Sequence, residues 1–162
     1  CIYYDGSNHL LSFTHTTTSN FIGPVSISMW FNINSLQSTE TVYLISKRHY
    51  YDFEIRYIFD TTNRFSFLFG DSTTSNYETW SFDYDLDYNK WYHIAITRDT
   101  GSNVLKNINI AVNGKYYSMY KESYVGVENV TVSEGGTATN FTIARKKASL
   151  TFSILNCLII VY

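Results

Sequence analysis

The sequence predicts an all-β protein in which two antiparallel sheets stack as a β-sandwich. Apolar and polar residues alternate with a period of two in several segments, which is the pattern of strands buried on one face. Aromatic residues make up 18% of the chain, and aromatic side chains favour strands. No long run of residues combines a 3.6-residue period with capping residues, so we expect little helix.

The first half of the chain contains the clearest alternation. Val25–Ile33 alternates large apolar residues with serine and asparagine, although Trp30 falls on the polar phase. Phe53–Phe59 and residues 65–69 show the same period, and the turn-forming residues 60–63 lie between them. Two such strands separated by a short polar turn predict a β-hairpin.

The second half adds strands at Trp91–Arg98 and Ile108–Val112. Asn113 and Gly114 come next, and this pair favours the positive φ angles of a two-residue type I′ turn. We therefore expect a second hairpin, with residues 115–119 as its returning strand.

A less regular stretch follows at residues 120–139, which is rich in Glu, Ser, Gly and Thr. We expect a long surface loop there, with at most one short strand at residues 130–132. Strands at residues 141–144 and 152–162 complete the predicted set.

The length of 162 residues suits one domain with a sizeable core, so we expect a single domain over residues 1–162. The chain begins with Cys1 rather than Met, as in a mature protein after removal of a leader or a domain excised from a larger protein. A net charge of −2 creates no field that would attract nucleic acid. No apolar segment approaches the ~20 residues of a membrane helix, so we expect no membrane insertion.

Short motifs recur along the chain in a recognisable order. They are YDGS at residues 4–7, ISMWF at 27–31, WYHIA at 91–95, VNG at 112–114 and FSIL at 152–155. Together they resemble the laminin G-like domains of the concanavalin A-like lectin/glucanase superfamily, from about residue 3 to residue 162. The resemblance implies a jelly-roll sandwich whose first and last strands are neighbours. It also implies a domain that binds glycans or protein surfaces and far less often cleaves anything.

The same resemblance implies a calcium site. In laminin G-like domains that bind calcium, an Asp at the start of the strand matched here by Phe53–Phe59 is one ligand, and Asp52 occupies that position. Glu134 or Glu128, in the predicted long loop, would supply a further oxygen. Calcium prefers such hard oxygen donors. The alternative is that Asp52 is an acidic residue that keeps a strand edge soluble.

Two cysteines, Cys1 and Cys157, lie near opposite ends of the chain, without the spacing of a structural zinc site. If the terminal strands pair, the two thiols approach the distance that a disulfide requires. A disulfide would indicate an oxidising, extracellular setting. Two unlinked thiols remain the alternative.

Asn129 and Asn140 each begin an N-x-[ST] tripeptide and are candidate glycosylation sites. Modification at either position would support an extracellular location. Such tripeptides also arise by chance in a chain rich in Thr and Asn.

Asp83, Asp85 and Asp87 form a dense acidic cluster. On a strand, residues two apart lie on the same face, and glucanases of this superfamily carry acidic catalytic residues at alternate positions. A glycoside hydrolase is therefore one alternative. Those enzymes use Glu in both catalytic roles, however, so a solvated loop is the preferred interpretation and no catalytic residue is assigned.

Several aromatic residues fall in or beside predicted loops. Exposed rings next to amides and carboxylates bind sugars by stacking and hydrogen bonding, and protein interfaces use the same residue types. We expect the ligand-binding surface among Tyr77, Trp80, Tyr84, Asp85 and Tyr88.

The leading hypothesis is a non-enzymatic recognition module at a cell surface, in a secreted protein or on a virion. Its partner would be a glycan or a cell-surface protein contacted through loops. A structural role in a capsid, fibre or surface layer, with self-association through exposed strand edges, is the second hypothesis. The glycoside hydrolase is the third.

Overall fold

The fold is a sandwich of a six-stranded and a seven-stranded antiparallel sheet, as the sequence predicts. The structure, a computed structural model, describes residues 2–4, 11–13, 25–33, 40–47, 53–71, 76–98, 108–125, 141–146 and 152–160, and this part contains no helix. The described residues therefore include no helix long and apolar enough to cross a membrane. The strands are β1 Ile2–Tyr4, β2 Leu11–Phe13, β3 Val25–Ile33, β4 Glu40–Lys47, β5 Phe53–Phe59, β6 Arg64–Asp71, β7 Asn76–Asp83, β8 Trp91–Arg98, β9 Ile108–Val112, β10 Lys115–Tyr116, β11 Tyr120–Val125, β12 Phe141–Lys146 and β13 Phe152–Ile160.

The strand order shows how the chain closes the sandwich. The six-stranded sheet runs β1-β13-β3-β8-β9-β10, and the seven-stranded sheet runs β11-β7-β6-β5-β4-β12-β2. β13 lies between β1 and β3, with Ile2 opposite Ile154 and Phe31 opposite the same residue from the other side. The first and last strands are therefore neighbours, as the family resemblance implies.

The core lies between the two sheets and consists of the inward phase of each strand. Phe31 from the six-stranded sheet meets Phe65 of the seven-stranded sheet edge to face, with ring centroids 6.0 Å apart. Rings that meet in this way stabilise a core beyond the area that they bury. In the described part of the chain, the large side chains that are fully buried include Ile27, Met29, Phe31, Ile33, Leu44, Ile45, Phe53, Tyr57, Phe65, Phe67 and Phe69.

Both predicted hairpins are present. β5 and β6 pair antiparallel through residues 53–58 and 64–69, so the turn lies at residues 60–63. Asn113 and Gly114 have φ angles of 50° and 79°, as a type I′ turn requires. The returning strand β10 is shorter than expected, because it ends at Tyr116.

Other elements differ from the prediction. Residues 120–125 were expected in a loop but form the edge strand β11, which pairs with β7 through a bulge at Glu122. β4 and β7 lack a clean alternation in the sequence because polar residues are buried on them. Glu78 occupies the inward phase of β7, and Ser81 is buried on the outward phase, so neither strand follows the one-sided pattern.

Candidate functional site

The candidate site is built on the loop at residues 84–90, which joins β7 to β8 across one end of the sandwich. The loop continues the alternation of β7, with Tyr84 and Leu86 packed against the core and Asp85 and Asp87 exposed. One side of this segment is therefore held by the core while the other faces solvent.

Two core tyrosines fix the backbone of the 84–90 loop. The Tyr57 hydroxyl donates to the carbonyl oxygen of Tyr84 at 3.0 Å and accepts from the N–H of Leu86 at 3.3 Å. The Tyr92 hydroxyl accepts from the N–H of Asp87 at 2.8 Å. Loop backbone groups that would otherwise need water are thus satisfied from inside the protein.

The ends of the loop are anchored by backbone hydrogen bonds. The N–H of Tyr84 donates to the carbonyl of Asn63 in the β5–β6 turn, and the N–H of Asn89 donates to the carbonyl of Ile33, each at 2.9 Å. Asn89 has a φ of 59°, a left-handed conformation that asparagine tolerates better than most residues. The loop is consequently ordered before any ligand arrives.

Burial controls the ionisation of the tyrosines that hold the loop. It raises the pKa of Tyr57 to about 12, and the nearby Asp85 carboxylate adds to the effect. The pKa of Tyr84 is also raised to about 12, again chiefly by burial. Both hydroxyls therefore stay protonated at neutral pH, and the Tyr57 hydroxyl can both donate and accept.

Three groups face solvent where the loop meets the β5–β6 turn. The Asn63 side-chain amide donates to the Asp85 carboxylate at 2.8 Å. Tyr88 is 40% exposed and meets Phe59 edge to face, with centroids 6.4 Å apart. A loop that carries an exposed ring and a paired carboxylate can bind sugars, because such a ring stacks on a sugar face and the polar pair binds sugar hydroxyls.

A charged network stiffens the neighbouring turn and the outer face of the seven-stranded sheet. Arg64 contacts both carboxylate oxygens of Asp60 at 2.9 Å and pairs with Glu122 at 2.9 Å. The pKa of Asp60 is lowered, first by the Thr62 N–H that donates to it and then by Arg64. Glu122 also accepts from Ser81 at 2.7 Å, so the bulge of β11 is tied to β7.

The acidic cluster does not converge on one point. Asp83 is the last residue of β7 and accepts from the Tyr120 hydroxyl at 2.7 Å. Asp85 accepts from Asn63, and Asp87 pairs with Lys90 at 2.7 Å. Asp85 and Asp87 lie in the loop, which agrees with the preferred interpretation of this segment, and each carboxylate has its own partner.

Trp80 was placed wrongly by the sequence reasoning. It lies in β7 rather than in a loop and is 5% exposed, packed on the inward face of the sheet. Its indole N–H donates to the buried Glu78 carboxylate at 3.2 Å, and Lys121 lies over its ring while contacting the same carboxylate. Trp80 therefore cannot contact a ligand in this conformation.

The remaining predicted ligand residues divide into two groups. Tyr84, Asp85 and Tyr88 come together in the 84–90 loop, although Tyr84 faces the core. Tyr77 is half-buried in β7, eleven residues before Tyr88 in the sequence, and is not part of the loop.

Sequence reasoning missed Tyr57 and Tyr92, which hold the loop from the core. Both lie on inward strand phases, where Phe would supply the same ring. The signal that identifies them is the hydroxyl itself, since a buried Tyr O–H usually has a hydrogen-bond partner.

Several predicted residues lie outside the part of the chain that the structure describes. They are the candidate calcium ligands Asp52, Glu128 and Glu134, the glycosylation candidates Asn129 and Asn140, and Cys1. Cys157 lies in β13, three residues beyond the position opposite Ile2. Within the described ranges, no group of three His, Cys, Asp or Glu side chains is arranged to hold a metal ion.

Comparison with known families settles the membership of this chain. A sequence model described as the concanavalin A-like lectin/glucanases superfamily matches residues 5–153. The chain belongs to this superfamily. No curated protein sequence matches it.

Solved structures share the fold at low sequence identity. The binding domain of botulinum neurotoxin DC in complex with SialylT has a TM-score of 0.62 and 21% identity, over 90% of this chain and 34% of that one. The binding domain of serotype D/C VPI 5993 has a TM-score of 0.64 and 19% identity, over 94% of this chain and 38% of that one. Tailspike protein 2 of Escherichia coli O157:H7 bacteriophage CAB120 has a TM-score of 0.56 and 13% identity, over 95% of this chain and 22% of that one. The superfamily member described here thus spans little more than a third of the neurotoxin domains.

Proposed function

We propose that this protein is a non-enzymatic recognition module that binds a cell-surface glycan through the 84–90 loop and the adjoining β5–β6 turn. One observation carries the proposal: a loop whose backbone is fixed by core tyrosines presents both the exposed Tyr88 ring and the Asp85 carboxylate, which pairs with Asn63. A preordered loop loses little conformational entropy on binding, so more of the contact energy appears as affinity.

The structural neighbours support a recognition role. One neurotoxin binding domain is described in complex with SialylT, another in complex with rat synaptotagmin II, and cell entry of botulinum neurotoxin type C is described as dependent on two ganglioside molecules. These ligands are glycans or a cell-surface protein. By analogy, we place this module in an extracellular or virion-surface setting, with a cell-surface protein as the alternative partner.

Calcium is part of the proposal as an accessory ion. The family resemblance implies Asp52 as one ligand and Glu134 or Glu128 as the source of a further oxygen, and these carboxylates are of the type that calcium prefers. Its role would be to stabilise the folded module.

The test is a glycan array probed with the wild-type protein and three variants. Tyr88→Ala removes the exposed ring, Asp85→Asn removes the charge at constant size, and Asn109→Ala is a control at an exposed position on β9. Loss of a central contact ring should weaken binding by about tenfold or more, which corresponds to ~1.4 kcal/mol. Asn109→Ala should bind as wild type does.

Two results would redirect the proposal. If every glycan that the wild type binds is still bound by both loop variants, no glycan is held by the 84–90 loop. Release of sugar from an oligosaccharide, lost in Asp85→Asn, would identify a glycoside hydrolase.

A further inference from the structure

The outer faces of the two sheets differ in charge. The outward phase of the seven-stranded sheet carries Glu54, Arg56 and Arg64, together with the bulge residue Glu122. In the six-stranded sheet, the described outward positions of β3, β8 and β9 carry no Asp, Glu, Lys or Arg. An outer sheet face without charged residues is unusual for a solvated surface and is typical of a surface that contacts a partner.

Register places small side chains in a row across this uncharged face. Ser28 of β3 pairs with Ala95 of β8, Ala95 pairs with Ala111 of β9, and Ala111 pairs with Tyr116 of β10. Paired residues of an antiparallel sheet lie on the same face. The three small residues therefore form a level floor between Tyr116 at one end and Leu158 of β13, which pairs with Ser28, at the other. With neighbouring strands about 4.8 Å apart, the row spans about 14 Å from Ser28 on β3 to Tyr116 on β10.

Aromatic rings border this floor. Tyr116 is 76% exposed on the edge strand β10, at the end of the row. Trp30 is 43% exposed in the adjacent row, two residues along β3 from Ser28. We call the floor and its two bordering rings the Trp30 shelf.

The Trp30 ring is held in place by His93. The two residues are directly opposite each other, and their ring centroids lie 5.0 Å apart. His93 Nε2 lies 2.7 Å from the Ser28 hydroxyl, and the backbone N–H of His93 donates to the Asn113 side-chain oxygen at 2.8 Å. These contacts orient the indole before a ligand binds, as a stacking platform requires.

We propose that the Trp30 shelf is a binding site for uncharged oligosaccharides, separate from the 84–90 loop. Trp30 and Tyr116 would stack on pyranose rings, while the Ser28 hydroxyl and the His93 imidazole would exchange hydrogen bonds with sugar hydroxyls. The floor favours this ligand over a protein, because protein interfaces are depleted in Ser and Ala and fill their centres with large side chains.

The test uses soluble oligosaccharides of glucose, mannose and galactose, and sulfated counterparts of each, in titration calorimetry. The wild type should bind at least one neutral series more tightly than its sulfated counterpart. Trp30→Ala and Tyr116→Ala should each raise Kd about tenfold or more. Ala111→Glu places a charged side chain on the floor and should abolish binding.

Tyr120→Ala is the matched control, since Tyr120 is 44% exposed on the seven-stranded sheet and its loss should not change the affinity. If Trp30→Ala fails to fold, Tyr116→Ala still tests the site, because Tyr116 is largely solvent-exposed and its truncation should not prevent folding. Tyr88→Ala separates this site from the 84–90 loop, because only the loop ligand should be lost.

Three results would overturn the inference. They are no binding to any neutral series, tighter binding of the sulfated series, and neutral binding that is unchanged in Trp30→Ala and Tyr116→Ala. A dimer in sedimentation that dissociates in Ala111→Glu would also overturn it, by showing that this face joins two copies of the protein.

Discussion

Replacing Tyr57 with Phe tests whether core hydroxyls fix the 84–90 loop. The substitution keeps the ring, so the packing against Phe65, with centroids 5.1 Å apart, is preserved and no cavity forms. It removes one hydroxyl that serves both the carbonyl of Tyr84 and the N–H of Leu86. The effect on stability therefore reports hydrogen bonding alone.

The magnitude follows from those two contacts. A hydrogen bond contributes about 1 kcal/mol net, and a buried polar group left without a partner costs ~1–3 kcal/mol. Water can reach part of this loop and replace some of the loss. We expect Tyr57→Phe to lower the free energy of unfolding by about 1–3 kcal/mol, measured by urea denaturation at neutral pH.

Amide hydrogen exchange shows which backbone N–H groups of the loop lose their hydrogen bonds in each variant. Tyr57→Phe should accelerate exchange at Leu86 and leave Asp87 protected, because the Asp87 N–H donates to Tyr92 instead. Tyr92→Phe should show the reverse pattern and a smaller loss, since only one hydrogen bond is removed. Unchanged exchange at Leu86, together with a wild-type urea midpoint, would refute this account of the loop.

Four further predictions address other parts of the protein. The pKa of Tyr57 is raised to about 12 in the fold from an ordinary value of 10.0. The protonated Tyr57 hydroxyl therefore makes its full contribution to the free energy of unfolding below pH 10. This contribution should be lost as the pH rises to 12, so across that range urea titrations should show the free energy of unfolding falling by about 2–3 kcal/mol more in the wild type than in Tyr57→Phe. Deleting β13 separates β1 from β3, so the truncated chain should show no cooperative melt by circular dichroism. If Cys1 and Cys157 form a disulfide, nonreducing peptide mapping should find them linked and Cys157→Ser should cost ~2–4 kcal/mol, whereas two alkylatable thiols would contradict it. Calcium should raise the melting temperature of the wild type and not of Asp52→Ala, and identical melts in calcium and chelator would remove the metal site.

The alternation of residues predicted much of the fold. Val25–Ile33 and Trp91–Arg98 were predicted with the bounds that the structure shows, because one face of each is apolar and the other polar. Asn113-Gly114 predicted its turn because few other pairs adopt two positive φ angles readily. β7 escaped prediction because Glu78 is buried there through contacts with Trp80 and Lys121, which only the folded chain brings together.

The sequence by itself determined the fold class through its local periodicity. Its motifs, read in order, carried the family resemblance, which implies the superfamily and the pairing of the end strands. Only the tertiary structure decided the sides on which Trp30 and Trp80 lie. Trp30 is exposed on an outward phase and Trp80 is buried on an inward one, although both are large aromatic residues in strands. A strand presents two faces with equal geometry, and the face that becomes buried is the one that the second sheet covers.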